Sequence, residues 1–124
     1  MQTIGFIGTG GMGSGMATNL IKSGYQLVVN DLNRDQAKVL EDQGAKFVNT
    51  PREVAENSEL VLSMLPNNDA VKTVGLGDGG LSEAGSGAKV WIDFSSIDKE
   101  TIVGINSNRE KISWTIIDAG AGGV

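Results

Sequence analysis

The sequence of 124 residues contains neither cysteine nor histidine, and these absences exclude several kinds of site. Without cysteine there is no disulfide framework, no thiolate nucleophile and no zinc site built on thiolates. Without histidine the chain lacks the commonest general base and the commonest metal ligand, and it cannot form a Ser-His-Asp triad. We therefore predict no metal site and no catalysis that depends on either side chain.

Basic charge and long apolar runs are also scarce. Lysine and arginine number 10 against 15 acidic residues, and the net charge of −5 argues against a nucleic-acid partner, which requires a basic face. No apolar run approaches the length of a membrane span, and no basic segment precedes an apolar one at the N-terminus. We expect a cytoplasmic location, no membrane partner and, from the length, one domain with a single core.

Glycine, by contrast, is abundant, and it twice forms the pattern G-x-G-x-x-G. The first glycine run contains Gly8, Gly10 and Gly13, and the second glycine run contains Gly75, Gly77 and Gly80. In a chain with 18 glycines the spacing alone does not distinguish a binding motif from chance. The flanking residues must therefore decide between the two runs.

Only the first glycine run has the neighbours that a dinucleotide-binding turn requires. The sequence predicts a buried strand at residues 3–7, a helix at residues 14–23 and a second strand at residues 25–30, which Asp31 follows. This order of strand, turn, helix, strand and acid is typical of a dinucleotide-binding unit. The second run follows no predicted strand and contains Asp78, whose charge would repel a phosphate, so we predict a loop there.

Each residue of the first run has a predicted task. Gly8 allows a tight turn, Gly10 leaves room for a pyrophosphate, and Gly13 lets the helix approach the sheet. The N–H groups at the start of that helix face the phosphates. Asp31 accepts hydrogen bonds from ribose hydroxyls, which favours NAD, whereas the nearby Arg34 keeps NADP as an alternative. The competing interpretations are a nucleotide-free turn and, for Asp31, a solvated carboxylate at the strand end.

Strands alternate with helices along the rest of the chain. Further strands are predicted at residues 45–48, 59–65, 89–94 and 112–118, helices at residues 32–44, 51–57 and 97–109, and one or two helical turns within residues 66–74. Asn33 is predicted to cap the helix at 32–44, and Thr50 the helix at 51–57. Trp91 and Trp114 lie within strands and are predicted core residues. The pattern predicts an α/β fold with a doubly wound, six-stranded parallel sheet in the order 3-2-1-4-5-6. Ligands then bind outside the carboxyl ends of the strands.

Three motifs resemble those of the β-hydroxyacid dehydrogenases, the family of 3-hydroxyisobutyrate and 6-phosphogluconate dehydrogenases. They are the run of residues 5–13, Met64-Leu65-Pro66 after the fourth strand, and residues 91–97 around the fifth, and the similarity covers nearly the whole chain. The resemblance implies that residues 1–124 form a Rossmann-like NAD-binding domain. It also implies a reversible hydride transfer between a nicotinamide cofactor and a small β-hydroxyacid.

The resemblance also implies the cofactor-binding residues, which are Gly8, Thr9, Gly10, Gly11, Met12, Gly13, Asn30, Asp31, Leu65, Pro66 and Ser96. In this interpretation Leu65 and Pro66 flank the nicotinamide, and Ser96 meets both nicotinamide and substrate. The competing role for Ser95 and Ser96 is to cap the helix that follows.

The chain departs from the family pattern where the substrate is expected. The family has D-A-P-V-S-G-G where this chain has residues 118–124, so Gly122 replaces a serine that contacts the substrate carboxylate. The expected substrate-binding residues are Ser96, Gly122 and Gly123. The family's catalytic lysine and its all-helical second domain lie beyond Val124, so we assign no catalytic residue and expect this chain alone to be catalytically incomplete.

Three functions remain open from the sequence. The first is the cofactor domain of a dehydrogenase for a small hydroxyacid, which forms a homo-oligomer or is completed by a helical domain. The second is a stand-alone NAD-binding regulatory module without catalysis, which differs from the first only in the sequence beyond Val124. The third is a methyltransferase, against which Met12, the sixth strand and the motifs after strands four and five all count.

Overall fold

Six parallel strands form the centre of the computed structural model, which describes residues 3–9, 12–84, 90–94 and 115–118. The strands are β1 (Thr3–Ile7), β2 (Gln26–Asn30), β3 (Lys46–Phe47), β4 (Leu60–Ser63), β5 (Val90–Asp93) and β6 (Thr115–Asp118). Their order across the sheet is β3-β2-β1-β4-β5-β6, and every pair is parallel. The predicted sheet and its strand order are therefore confirmed.

Four α-helices and one short 3₁₀ helix connect the first five strands within the described residues. They are α1 (Met12–Lys22), α2 (Arg34–Glu41), α3 (Pro51–Glu56) and α4 (Asn68–Leu76), followed by the 3₁₀ turn Leu81–Glu83. The fourth helix is longer than predicted, because it continues through Gly75. The helix predicted over residues 97–109 lies outside the described residues.

Side chains cap three of the helices at their first turn. Asn33 accepts a hydrogen bond from the N–H of Asp35 at 3.1 Å before α2, and Thr50 accepts one from the N–H of Glu53 at 3.2 Å before α3. Both caps were predicted from the sequence. A third cap, which the prediction missed, is Asn67, whose side chain accepts from the N–H of Ala70 at 2.9 Å. These caps satisfy N–H groups that have no partner within the helix.

The core lies on both faces of the sheet because parallel strands are covered by helices on each side. On one face Ile7, Val61 and Trp91 pack with residues of α3 and α4. On the other, Phe6 and Val29 pack with residues of α1 and α2. Trp91 is fully buried, which confirms its predicted place in the core. The other predicted core tryptophan, Trp114, lies outside the described residues.

The strand register brings the carboxyl ends of the central strands to one edge of the sheet. Ile7 at the end of β1 pairs with Asn30 of β2 on one side and with Ser63 of β4 on the other. Ser63 in turn pairs with Asp93, and Asp93 pairs with Asp118. The strand order reverses between β1 and β4, so this edge is the topological switch point at which such sheets bind ligands.

Candidate dinucleotide-binding site

The first glycine run makes a turn that only glycine fits. Gly8 has a φ of +88°, and a Cβ atom there would collide with the backbone carbonyl oxygen of Met64. A Cβ atom at Gly13 would collide with the carbonyl oxygen of Gly8. Helix α1 therefore begins directly above the end of β1, with its positive end at the switch point. Gly10 and Gly11 lie outside the described residues.

The carboxylate of Asp31 ties the second strand to this turn. Its Oδ2 atom accepts hydrogen bonds from the N–H of Thr9 at 2.7 Å and from the Thr9 hydroxyl at 3.1 Å. Its Oδ1 atom accepts one from the N–H of Asn33 at 2.8 Å. A carboxylate has about four acceptor sites, so a ligand hydroxyl can still bind. The sequence predicted that Asp31 accepts hydrogen bonds from a ribose, but it did not indicate the contact with the buried Thr9.

Asn30 also has a structural contact at the end of β2. It is buried, and its side-chain amide donates to the carbonyl oxygen of Val48 at 2.8 Å. The backbone carbonyl oxygen of Asn30 accepts from the N–H of Gly8 at 3.0 Å. The residue lines the cavity described below, so it contributes to the wall of the site. Its amide, however, is engaged in holding the segment after β3.

A cavity of about 1040 Å³ runs along the carboxyl ends of the strands from β3 to β4. Its lining combines predicted cofactor residues with residues that the prediction did not include, among them Gly8, Asp31, Leu65, Pro66, Asp69 and Asp78. Ligand pockets for molecules of drug size are typically about 300–1,000 Å³, so this cavity is large enough for an extended ligand. The structure thus brings three predicted groups together: the first glycine run, Asp31 and the residues after β4.

The charges around the cavity are predominantly negative. Asp31, Asp69 and Asp78 line it, and Arg34 is the cation among its lining residues. The Arg34 side chain has two other contacts: its Nη2 atom lies 3.5 Å from Glu41 Oε2, and its Cζ atom lies 4.5 Å from the centre of the Phe47 ring. The guanidinium is thus held over Phe47 by a cation–π contact. No sequence pattern indicated this contact, because Arg34 and Phe47 come together only through the pairing of β3 with β2.

A buried polar cluster lies at the ends of β4 and β5. It consists of Ser63, Trp91 and Asp93, all fully buried. The Trp91 indole N–H donates to the Ser63 hydroxyl at 2.8 Å, and that hydroxyl donates to Asp93 Oδ2. The carbonyl oxygen of Ser63 accepts from the N–H of Phe94 at 2.8 Å. Trp91 was a predicted core residue, but no sequence pattern indicated this cluster.

Several predicted site residues lie where the structure gives limited or no description. Met12 begins helix α1, which places its backbone at the predicted phosphate end, and Ser96, Gly122 and Gly123 are outside the described residues. In the part of the chain that the structure describes, no helix is long and apolar enough to cross a membrane.

The tight turn at Gly8, the start of α1 above it, the acid after β2 and the long cavity fit a dinucleotide. A Cβ atom at position 8 or 13 would collide with the backbone, which explains why both residues are glycine. The remaining acceptor capacity of Asp31 suits a ribose hydroxyl. Fold and site therefore define a dinucleotide-binding domain of the Rossmann type. Residues 3–124 match the family described as the NAD binding domain of 6-phosphogluconate dehydrogenase, and the chain belongs to that family.

Named relatives agree with this assignment. A protein of Dictyostelium discoideum named as a probable mitochondrial 3-hydroxyisobutyrate dehydrogenase is 37% identical over 122 residues, which are 98% of this chain and 38% of the relative. The 3-sulfolactaldehyde reductase of Escherichia coli is 42% identical over 97 residues, 78% of this chain and 33% of that protein.

Solved structures give the same result. The 3-hydroxyisobutyrate dehydrogenase of Mycobacterium tuberculosis superposes with a TM-score of 0.85 at 25% identity, covering 99% of this chain and 41% of that one. This chain therefore spans about a third to two fifths of the length of these relatives.

Proposed function

We propose that the chain is the cofactor-binding part of an oxidoreductase that transfers a hydride between NAD and a small β-hydroxyacid. The observation that carries the proposal is the shared cavity of Gly8, Asp31 and Leu65, because it joins a phosphate-binding turn, a ribose-binding acid and a wall for the nicotinamide. The names of the relatives, which are dehydrogenases and reductases, support an enzyme over a regulatory module.

The residues of this chain bind and orient the cofactor. The N–H groups at the start of α1 bind the pyrophosphate, and the Asp31 carboxylate accepts hydrogen bonds from the adenosine ribose. Leu65 and Pro66 form an apolar wall that keeps water away from the nicotinamide. When bound, the nicotinamide supplies the carbon that takes up or gives the hydride.

We further propose that NAD is preferred over NADP. A 2′-phosphate would stand next to the Asp31 carboxylate, in a cavity that Asp69 and Asp78 also line. Arg34 offers little compensation because its guanidinium is drawn to Glu41 and Phe47. Electrostatics therefore favours the cofactor without the additional phosphate.

The substrate half of the reaction depends on residues for which we propose roles from the family resemblance. Ser96, Gly122 and Gly123 would meet the substrate, and a lysine outside this sequence would act in proton transfer. We propose that a helical domain, in the same polypeptide or in a second subunit, completes the active site. The isolated chain would then bind NAD without turning over a hydroxyacid.

Calorimetric titration of the purified chain with NAD⁺ and with NADP⁺ tests the proposal. We expect binding of NAD⁺ and at least about tenfold weaker binding of NADP⁺, since about one charge-assisted contact is replaced by repulsion. Asp31→Ala should weaken NAD⁺ binding by at least about tenfold, because one hydrogen bond to a charged group contributes about 1.5–3 kcal/mol and about 1.4 kcal/mol corresponds to a factor of ten. Preference for NADP⁺ would refute the charge argument, and unchanged NAD⁺ affinity in Asp31→Ala would refute the role of that residue.

A further inference from the structure

The buried polar cluster of Ser63, Trp91 and Asp93 is unusual for its place in the core. Around it on this face of the sheet lie apolar side chains such as Val61 and Val71. A buried carboxylate is costly unless it accepts hydrogen bonds, and here the Ser63 hydroxyl, itself oriented by the Trp91 indole N–H, provides one. An apolar side chain could fill the same volume without that cost, so packing alone does not account for Asp93.

The cluster lies directly beneath the wall of the cavity. Ser63 is the last residue of β4, and the next residues, Met64 and Leu65, line the cavity together with Pro66. The N–H of Met64 donates to the carbonyl oxygen of Ile7 at 3.0 Å, which joins the chain just after β4 to the end of β1. Ser63 therefore connects the ends of three strands, through its side chain to β5 and through the backbone around it to β1 and β5.

The position of the buried polar cluster along the sheet indicates which half of the cofactor would lie next to it. Asp31 follows β2 and marks the adenosine ribose, and the start of α1 after β1 marks the pyrophosphate. A dinucleotide is linear, so its nicotinamide half continues past β1 towards β4. Ser63 and Asp93 hold the chain at the end of β4, and the nicotinamide half would contact the residues that follow this end.

We propose that Asp93 is a positioning residue. Through its hydrogen bond with Ser63 it holds the backbone at the end of β4 in place, and so positions residues 64–66, which form the wall against which the nicotinamide lies. The proposal rests on the proposed function, since it assumes NAD in the cavity. It adds a role for residues that do not themselves line the cavity. Trp91 completes the cluster by orienting the Ser63 hydroxyl towards the carboxylate.

Comparison of two ligands separates this role from a purely structural one. NAD⁺ and ADP-ribose share the adenosine, the pyrophosphate and the second ribose, and only NAD⁺ carries the nicotinamide. Ser63→Ala removes the hydrogen bond to Asp93, and Asp93→Asn weakens it by replacing the charged acceptor with a neutral amide oxygen. In both variants we expect roughly fivefold to tenfold weaker binding of NAD⁺, while ADP-ribose binding stays within about twofold. Both affinities are measured calorimetrically on the full 124-residue chain.

Ser58→Ala is the matched control. Ser58 is also a buried serine, its hydroxyl donates to the carbonyl oxygen of Val54 at 2.5 Å, and it precedes β4 at the opposite edge of the sheet. We expect Ser58→Ala to lower the melting temperature as Ser63→Ala does and to leave the ratio of the two affinities unchanged. A shift of the ratio in Ser58→Ala would show that loss of stability alone moves it, and would overturn the proposal.

The remaining outcomes also decide. Equal weakening of NAD⁺ and ADP-ribose in Asp93→Asn and Ser63→Ala, or no weakening of either, overturns the positioning role and leaves the proposed function intact. Loss of folding in both variants, with Ser58→Ala still folded, makes the cluster structural and overturns it as well. If the unchanged chain binds neither ligand, the proposed function itself fails.

Discussion

The first and second glycine runs have the same spacing, and each contributes one residue to the same cavity, Gly8 and Asp78, but they stand at opposite ends of helices. Gly8 and Gly13 surround the start of α1, where free N–H groups and the positive end of the helix dipole lie. In the second run, Gly75 belongs to the last turn of α4 and Gly77 follows its end. There the carbonyl groups of the last helical turn and the negative end of the dipole lie, so an anion is not stabilised.

The steric environments of the two runs reflect this difference. A Cβ atom at Gly80 would lie 2.7 Å, 2.8 Å and 3.1 Å from the carbonyl oxygens of Gly77, Val74 and Thr73, so the chain turns back tightly over the end of α4. The carbonyl oxygen of Gly79 accepts from the N–H of Arg52 at 2.9 Å and so supports the first turn of α3. The second run is thus a structural turn, and helix polarity, rather than glycine spacing, distinguishes the proposed phosphate site from it.

Gly13→Ala should give the largest effect on cofactor binding. The new methyl group would meet the backbone oxygen of Gly8 and push α1 away from β1, so we expect NAD⁺ affinity to fall by about 100-fold. Gly15→Ala is the matched control in the same helix, because open space surrounds a Cβ atom there. It should keep its affinity and gain about 0.5–1 kcal/mol in the free energy of unfolding. Equal affinities of the two variants in calorimetry would contradict the assignment of the first run.

Thr9→Val should give a smaller loss. It removes the hydroxyl that donates to Asp31 and keeps the backbone N–H that donates to the same oxygen. We expect about fivefold weaker NAD⁺ binding, because one of two bonds that orient the carboxylate is lost. Thr9→Ser retains the hydroxyl and should restore most of the affinity. If Thr9→Ser binds as weakly as Thr9→Val although it keeps the hydroxyl, the loss does not come from the hydrogen bond to Asp31, and the role given to the hydroxyl is refuted.

Asp78→Asn should produce a small gain, because the second run brings this carboxylate to the cavity. Removing an exposed negative charge from the cavity wall should strengthen binding of the pyrophosphate-bearing NAD⁺ by about twofold at low salt, and the gain should vanish at high ionic strength. Glu59→Gln is the control, since Glu59 is exposed and precedes β4 at the opposite edge of the sheet. The same salt-dependent gain in both variants would mean that only net charge is involved.

Gly80→Ala should have the smallest effect on affinity, despite a cost in stability. Its methyl group would crowd three backbone oxygens and lower the free energy of unfolding by about 1–3 kcal/mol. The folded variant should still bind NAD⁺ within about twofold of the unchanged chain, because the turn contributes no N–H groups to the phosphates. A loss like that of Gly13→Ala would show that the two glycine runs act together and would refute their separation.

The local features of the fold could be predicted because they depend on neighbouring residues. The apolar strands, the caps Asn33 and Thr50 and the glycine turn before α1 each follow from short stretches of sequence. The length of α4 could not be predicted in this way, since Gly75 is a poor helix residue and favours an earlier end. In the structure this glycine is buried within the helix, where tertiary packing outweighs its low propensity.

The order of strands and helices, the position of the glycine turn before α1 and the acid after β2 could all be derived from the amino-acid sequence. Periodicity, capping and glycine geometry act within a few residues, so these features depend on local sequence. The three-dimensional fold was needed to show that Asp31 binds Thr9, that Arg34 lies over Phe47, that Asp78 approaches the cavity and that Ser63 joins Trp91 and Asp93. These contacts join residues that are 13 to 30 positions apart, or bring distant loops to one cavity, and they exist because the parallel register aligns the strand ends.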